Sequence, residues 1–231
     1  MPETGRSGMK YLEYGAAWIL DYVYIAFWQV HGFLFPASSE ELTRGTDHTA
    51  APVVLIPGVY ETWQFMRPVA DRLHELGHPI FVVESLGYNR GTIPAMAELT
   101  AGFLLERDLR NVVIVAHSKG GLIGKRVMSS SAQADRVSSM IAINTPFSGS
   151  VYARFAPGQS IRAFSPHNAI LLKLAENLEV NERITSIYSS FDPHIPGGSF
   201  LQSATNVELD TMGHLKIIGD ARLLDAIEQA L

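Results

Sequence analysis

The stretch VVIVAHSKGGLIGKRVM, residues Val112–Met128, runs from a buried-strand pattern into a helix pattern through one serine and two glycines. The apolar residues Val112–Ala116 are typical of a strand covered on both faces, and a helix is predicted over Lys119–Ser129. A sharp turn between the two would hold the hydroxyl of Ser118 above the edge of a sheet, where it could attack a substrate. The alternative is that Ser118 only caps the helix that follows it.

Strand and helix patterns alternate along the rest of the chain. Further strands are predicted at Val53–Ile56, Ile80–Glu84, Val137–Ile143, Ile184–Tyr188 and Asn206–Leu209. Further helices are predicted at Trp63–Leu76, Ala95–Glu106, Ala169–Leu178 and Ala221–Leu231. This alternation indicates an α/β protein with a mostly parallel sheet of about six strands flanked by helices.

The chain divides into an N-terminal extension and one larger domain. We assign residues 1–51 to the extension, a helix followed by a polar connection, and residues 52–231 to the α/β domain. About forty residues separate the strands at Val137–Ile143 and Ile184–Tyr188, more than a simple crossover needs. We therefore expect a short helical cap, inserted over residues 148–183 or close to them.

The segment Tyr14–Pro36 is aromatic and apolar, but it predicts neither a signal peptide nor a transmembrane helix. Asp21 interrupts it, and the uncharged run Tyr22–Pro36 has 15 residues, whereas a bilayer span needs about 20. Wound as a helix, the segment is amphipathic. Its apolar stripe contains Ile19, Val23, Ala26, Phe27 and Val30, and its other side contains Glu13, Asp21, Tyr24, Trp28 and His31.

Two interpretations of this N-terminal helix remain open. We favour packing of the apolar stripe on the protein's own core or on a second subunit, because lysines are nearly absent from the polar face. The other interpretation is docking on a membrane surface. We thus expect a cytoplasmic protein, with self-association or peripheral membrane contact left open, and an irregular leader over Met1–Gly8.

Composition excludes several classes of function. The net charge is −5 and Lys and Arg are scattered, so no nucleic-acid partner is expected. The chain has no cysteine, which excludes disulfides, thiolate metal sites and a cysteine nucleophile. His167 and His194 have no metal-ligand spacing with a nearby acid pair, so neither a metal nor a cofactor is expected.

Three reactive residues fall just after predicted strands. They are Ser118, Asp192 and His214, and ligands of open parallel sheets bind at the carboxyl ends of the strands. A serine hydroxyl needs an imidazole to take its proton, and the imidazole needs a carboxylate to orient it. Asp210 and Glu84 are alternatives for the carboxylate.

An acyl-transfer site also needs donors for the oxyanion. The backbone N–H groups of Lys119, directly after the serine, and of Val59, after the first strand, are our candidates. Tyr60 and Phe147 are expected near an acyl pocket. His117 is expected to pack behind the turn, because neighbouring residues of a strand point to opposite faces.

The segment AHSKGG resembles the nucleophile elbow of the α/β-hydrolase fold, and the chain order Ser–Asp–His matches that family. The segments IPGV, NTPFSGS, SSFDPHIP and GHLKII resemble the oxyanion, post-strand, acid and histidine loops of bacterial lipases and esterases. The resemblance covers Pro52–Leu231. Two residues depart from the family pattern: Ala116 replaces the first glycine of the elbow, and Pro57 replaces a histidine of the oxyanion segment.

The resemblance implies a serine hydrolase that cleaves carboxylic esters through an acyl-enzyme, with a small-molecule or lipid ester as substrate. It also favours Asp192 as the acid, since in this family the acid follows the penultimate strand. Alternatives are an acyltransferase or thioesterase that uses the same triad, and a non-catalytic binding protein of the same fold.

Overall fold

The computed structural model describes residues 4–34, 39–44, 46, 49–130, 134–153 and 159–231. Six parallel strands form one sheet in the order β2-β1-β3-β4-β5-β6. They are β1 (Val53–Ile56), β2 (Ile80–Val82), β3 (Val112–His117), β4 (Val137–Ile143), β5 (Ile184–Phe191) and β6 (Thr205–Met212). The predicted sheet is therefore confirmed.

Helices cover the sheet. Within the described residues they are α1 (Thr4–Leu34), α2 (Arg67–Glu75), α3 (Ile93–Glu106), α4 (Lys119–Met128), α5 (Gln159–Arg162), α6 (Ala169–Glu176) and α7 (Ala221–Ala230). The helices α5 and α6 lie between β4 and β5, where the cap was predicted, and residues 154–158 of that cap lie outside the described residues.

Several predicted boundaries were wrong. The single helix expected over Trp63–Leu76 is a 3₁₀ turn, Trp63–Met66, followed by α2. Pro68 lies in the first turn of α2, where its missing N–H costs no hydrogen bond, and this fixes the start of the helix. The irregular leader expected over Met1–Gly8 is also wrong from Thr4 onward, where α1 begins, and residues 1–3 lie outside the described residues.

The sheet order places a crevice above β1 and β3. From β1 the chain crosses to one side to form β2 and then returns to the other side to form β3. The loops that follow β1 and β3 therefore leave the sheet in opposite directions, which opens the space where ligands of such sheets bind. Both strands are buried along their whole length.

Helix α1 packs on the domain through the side that carries Asp21, and not through the apolar stripe. Asp21 and Ala17 face the domain and are buried, and the hydroxyl of Tyr24 donates a hydrogen bond to the carbonyl of Phe65 at 3.4 Å. The apolar stripe faces outward instead. The large exposed side chains, each 57–66% accessible, are Ile19, Val23, Phe27 and Val30 of the stripe, with Leu34 one turn beyond them.

Packing of the stripe on the protein's own core is therefore wrong. The side of α1 that carries Asp21 packs on the domain instead, because its carboxylate accepts hydrogen bonds from backbone N–H groups there. No helix in the described part of the chain is long and apolar enough to cross a bilayer.

Close contact between α4 and the sheet depends on Gly120. A Cβ atom at this position would lie 2.1 Å from the carbonyl oxygen of Ile56, which is backbone and cannot move aside. We expect Gly120→Ala to lower the free energy of unfolding by about 1–3 kcal/mol through overpacking. Urea unfolding followed by circular dichroism measures the change.

The matched control for this prediction is Gly102→Ala. Gly102 also lies within a helix, α3, and nothing lies within 4 Å of an added Cβ. This control should raise stability by up to about 1 kcal/mol through its better helix propensity. Equal effects of the two substitutions would contradict the packing described here.

Candidate active site

Ser118 lies on a strained turn between β3 and α4. Its backbone has φ 51° and ψ −118°, a left-handed conformation that non-glycine residues rarely adopt. Its N–H donates to the carbonyl of Ile143 at 2.8 Å, which fixes the turn against β4. The side chain makes no capping hydrogen bond with α4, so the interpretation of Ser118 as a helix cap alone is wrong.

The structure brings Ser118, His214 and Asp192 together in one chain of hydrogen bonds. The Nε2 atom of His214 lies 2.9 Å from the Oγ atom of Ser118, and its Nδ1 atom lies 2.6 Å from Oδ2 of Asp192. All three residues are more than nine-tenths buried. Because a carboxylate accepts from Nδ1–H, the Nε2 atom is left free to accept the serine proton.

Loop hydrogen bonds hold the acid in place. The Oδ1 atom of Asp192 accepts the backbone N–H groups of His194 at 2.8 Å and Ile195 at 3.0 Å. The alternative acids lie in other surroundings. Glu84 accepts a hydrogen bond from the hydroxyl of Ser39 at 2.8 Å, and Asp210 contributes its backbone carbonyl to Arg222.

Charges around His214 favour its protonated form. Burial lowers the pKa of the imidazole, but the attraction of Asp192, Glu61 and Asp21 outweighs it and raises the pKa above the ordinary 6.5. For Asp192, burial raises the pKa, and the interactions with His214 outweigh this and lower it. The carboxylate therefore stays ionised.

His117 supports the histidine loop from behind the turn. Its Nε2 atom lies 2.9 Å from the carbonyl oxygen of His214, and its Nδ1 atom lies 2.9 Å from a carboxylate oxygen of Glu61. Asn144 also donates to the carbonyl of His214, at 3.0 Å. Our sequence analysis placed His117 behind the turn but missed the contributions of Glu61 and Asn144.

An apolar pocket of about 420 Å³ opens above Ser118. Helix α1, the loop after β1, the cap and the loop after β5 all contribute to its wall. Its apolar and aromatic lining includes Trp18, Ile25, Val59, Tyr60, Tyr152 and Phe164.

The predicted pocket and oxyanion residues have different positions. Val59 and Tyr60 line the pocket beside Ser118, whereas Phe147 is buried in the neighbouring core and Pro146 takes the place at the wall. Phe147 packs in the same buried cluster as Phe164, which lines the pocket, and its role in substrate binding stays a prediction. The amine of Lys119 donates to the carbonyls of Asn89 and Gly91 at 2.6 and 2.5 Å, so only its backbone remains a candidate donor.

Asp192, His194 and His214 have potential metal-ligand atoms within 4.8 Å of one another. This proximity was not expected from their spacing in the sequence. Two of the three residues, Asp192 and His214, are already hydrogen-bonded to each other, and His214 also lies within hydrogen-bond distance of Ser118. We therefore interpret the group as part of the acid–base arrangement.

Solved structures provide the comparison with known proteins. A lipase of Bacillus licheniformis in its mature form has a TM-score of 0.64 at 16% identity, covering 81% of this chain and 95% of that chain. An extracellular α/β-hydrolase of a Paenibacillus species has a TM-score of 0.56 at 16% identity, covering 78% of this chain and 99% of that one. This chain has the α/β-hydrolase fold.

A third solved structure extends the match to nearly the whole chain. A bacterial membrane phospholipase A has a TM-score of 0.57 at 12% identity and covers 99% of this chain and 97% of that one. The match therefore includes α1, which lies outside the part that our sequence analysis compared with lipases. No protein-family model and no curated protein matches the chain.

The two histidines at the site should titrate on opposite sides of the ordinary value. Burial, assisted by repulsion from His214, lowers the pKa of His194, whereas the surrounding carboxylates raise that of His214. We expect NMR titration of the imidazole resonances to give a midpoint below 6.5 for His194 and above 6.5 for His214. Two midpoints near 6.5 would contradict this electrostatic description.

Proposed function

We propose that the protein is a serine hydrolase that cleaves carboxylic esters of apolar acyl chains. The observation that carries the proposal is the hydrogen-bonded chain from Ser118 through His214 to Asp192, at the base of an apolar pocket. The α/β-hydrolase fold supports it, and the matched structures include proteins described as a lipase and as a phospholipase A.

The reaction begins with attack of the Ser118 oxygen on the ester carbonyl, while Nε2 of His214 takes the hydroxyl proton. The carbonyl oxygen becomes an oxyanion, for which the backbone N–H groups of Val59 and Lys119 are the proposed donors. Collapse of this intermediate breaks the bond to the alcohol, which leaves with the proton from His214. Water then hydrolyses the acyl-enzyme by the same steps.

Asp192 stabilises the imidazolium that forms in each step. Its ionised carboxylate keeps Nδ1 protonated, so that Nε2 is the atom that exchanges the proton.

The walls of the pocket determine the preference for an apolar acyl group. Aromatic and aliphatic side chains surround the serine, and these favour an apolar acyl group over a sugar or a charged substrate.

The test of this proposal compares wild type with Ser118→Ala on p-nitrophenyl esters of increasing acyl length. We expect the variant to lose about 10⁶-fold in kcat, the loss typical of a removed serine nucleophile. The control is Ser138→Ala, since Ser138 lies at the amino end of β4 and its hydroxyl donates to the carbonyl of Val112, away from the pocket. Retained turnover in Ser118→Ala would refute the assignment, as would transfer to an alcohol without hydrolysis.

We further propose that α1 docks on a lipid surface and brings the pocket to it. Trp18 lines the pocket and is also exposed at its mouth, where Tyr60 and Tyr152 are likewise exposed. The exposed stripe belongs to the same helix as Trp18, and Tyr22, one turn after Trp18, is exposed as well. An exposed apolar helix face beside a pocket mouth marks an interaction surface, and a lipid source fits an acyl-ester site.

Flotation with phosphatidylcholine vesicles tests the docking surface. The wild type should float, and the double variant Val23→Glu/Phe27→Glu should stay at the bottom of the gradient, because two charges would have to be buried in lipid. Leu105→Glu is the control, since Leu105 is an exposed leucine of α3. Wild type that does not float, or that forms a dimer through this face in solution, would contradict lipid docking.

A further inference from the structure

Asp21 is a fully buried carboxylate on a helix that precedes the α/β domain. Its Oδ2 atom accepts the backbone N–H of His214 at 2.6 Å, and its Oδ1 atom accepts those of Leu215 at 3.1 Å and Lys216 at 3.0 Å. These three donors are consecutive, and they begin at the histidine itself. The side chain therefore acts as a remote cap for the 3₁₀ turn Lys216–Gly219.

We infer that Asp21 is a positioning residue, whose carboxylate fixes the backbone of His214 and so aims the imidazole at Ser118. This inference rests on the proposed function and names a part of the same site. Asp21 does not touch the pocket or the reacting atoms; it acts through the main chain of His214.

The main chain of His214 is held from two directions. Asp21 binds the N–H on the side of α1, while His117 and Asn144 bind the carbonyl on the side of the sheet. Gly213 makes the close approach of α1 possible. Its backbone has φ +118°, and a Cβ atom there would lie 2.5 Å from Oδ1 of Asp21.

The charge of Asp21 acts on the imidazole as well. Besides Asp21 on α1, four ionisable groups from three other places approach His214: Asp192 and His194 after β5, His117 on β3, and Glu61 after β1. Among these, the carboxylates of Asp192, Glu61 and Asp21 stabilise the imidazolium, and His194 opposes it. Removal of the negative charge at Asp21 should thus lower the pKa of His214.

Two substitutions separate the hydrogen bonds from the charge. Asp21→Asn keeps one carbonyl acceptor and removes the charge, whereas Asp21→Ala removes both. With a soluble short-chain p-nitrophenyl ester, we expect kcat to fall about 10-fold in the first and about 100-fold in the second, the latter typical of a reacting group displaced by about 1 Å. The acid limb of kcat/KM should move to lower pH in Asp21→Asn.

A second measurement does not depend on turnover. The proton on Nδ1 of His214, identified by its absence from His214→Ala, can be followed by NMR across a pH titration. Its midpoint should fall in Asp21→Asn relative to wild type. If the wild type cleaves no ester but the midpoint of His214 still falls in Asp21→Asn, the proposed hydrolase is refuted and the action of Asp21 on His214 is kept.

Asp220→Ala is the matched control, because Asp220 also caps a helix by accepting a backbone N–H, that of Arg222 at 3.0 Å. It should lose stability and keep both kcat and the titration midpoint. If the Asp21 variants behave in the same way, with lower stability but an unchanged midpoint and kcat, Asp21 only anchors α1 and the inference is overturned.

Discussion

The left-handed turn at Ser118 is the constraint on which the rest of the site depends. A non-glycine residue in this conformation costs of order 1–3 kcal/mol, and it persists only where its surroundings hold it. Here the Ser118 N–H donates to the carbonyl of Ile143, and Gly120, two residues later, lies directly against the carbonyl of Ile56. The carboxyl ends of β1, β3 and β4 are thereby brought into one packed unit, and the serine oxygen faces the crevice between them.

The imidazole must meet this fixed oxygen from a loop that belongs to another part of the sheet. A loop after an edge strand such as β6 has few neighbours to hold it, and the chain supplies them from elsewhere. His117 and Asn144 come from the carboxyl ends of the inner strands β3 and β4, and Asp21 comes from α1. The N-terminal helix is therefore joined to the loop that carries His214 on one side and presents an apolar face to its surroundings on the other.

The sheet and the serine turn could be predicted because their signals are local. Buried strands such as Val53–Ile56 are short apolar runs between turn residues, and the elbow around Ser118 is one continuous motif. The orientation of α1 could not be predicted in this way. Its stripe pattern favoured burial of Ile19 and Val23, but the tertiary structure buries Asp21, whose three partners lie more than 190 residues away in the chain. The acidic residue within the apolar segment was the signal, and we interpreted it only as an interruption.

The side chains that line the pocket could not be predicted from local sequence patterns either. Phe147 and Pro146 are adjacent in the sequence, and only the path of the loop after β4 decides which of them reaches the wall. A serine hydrolase of this kind must carry its acyl group on the Ser118 oxygen during turnover, and acid-quench mass spectrometry after mixing with a long-chain p-nitrophenyl ester detects that species. We expect one acyl group, located by peptide mapping on Ser118. An acyl group on another residue, or ester cleavage with no acylated Ser118 under quench conditions that preserve acyl-enzymes, would contradict it.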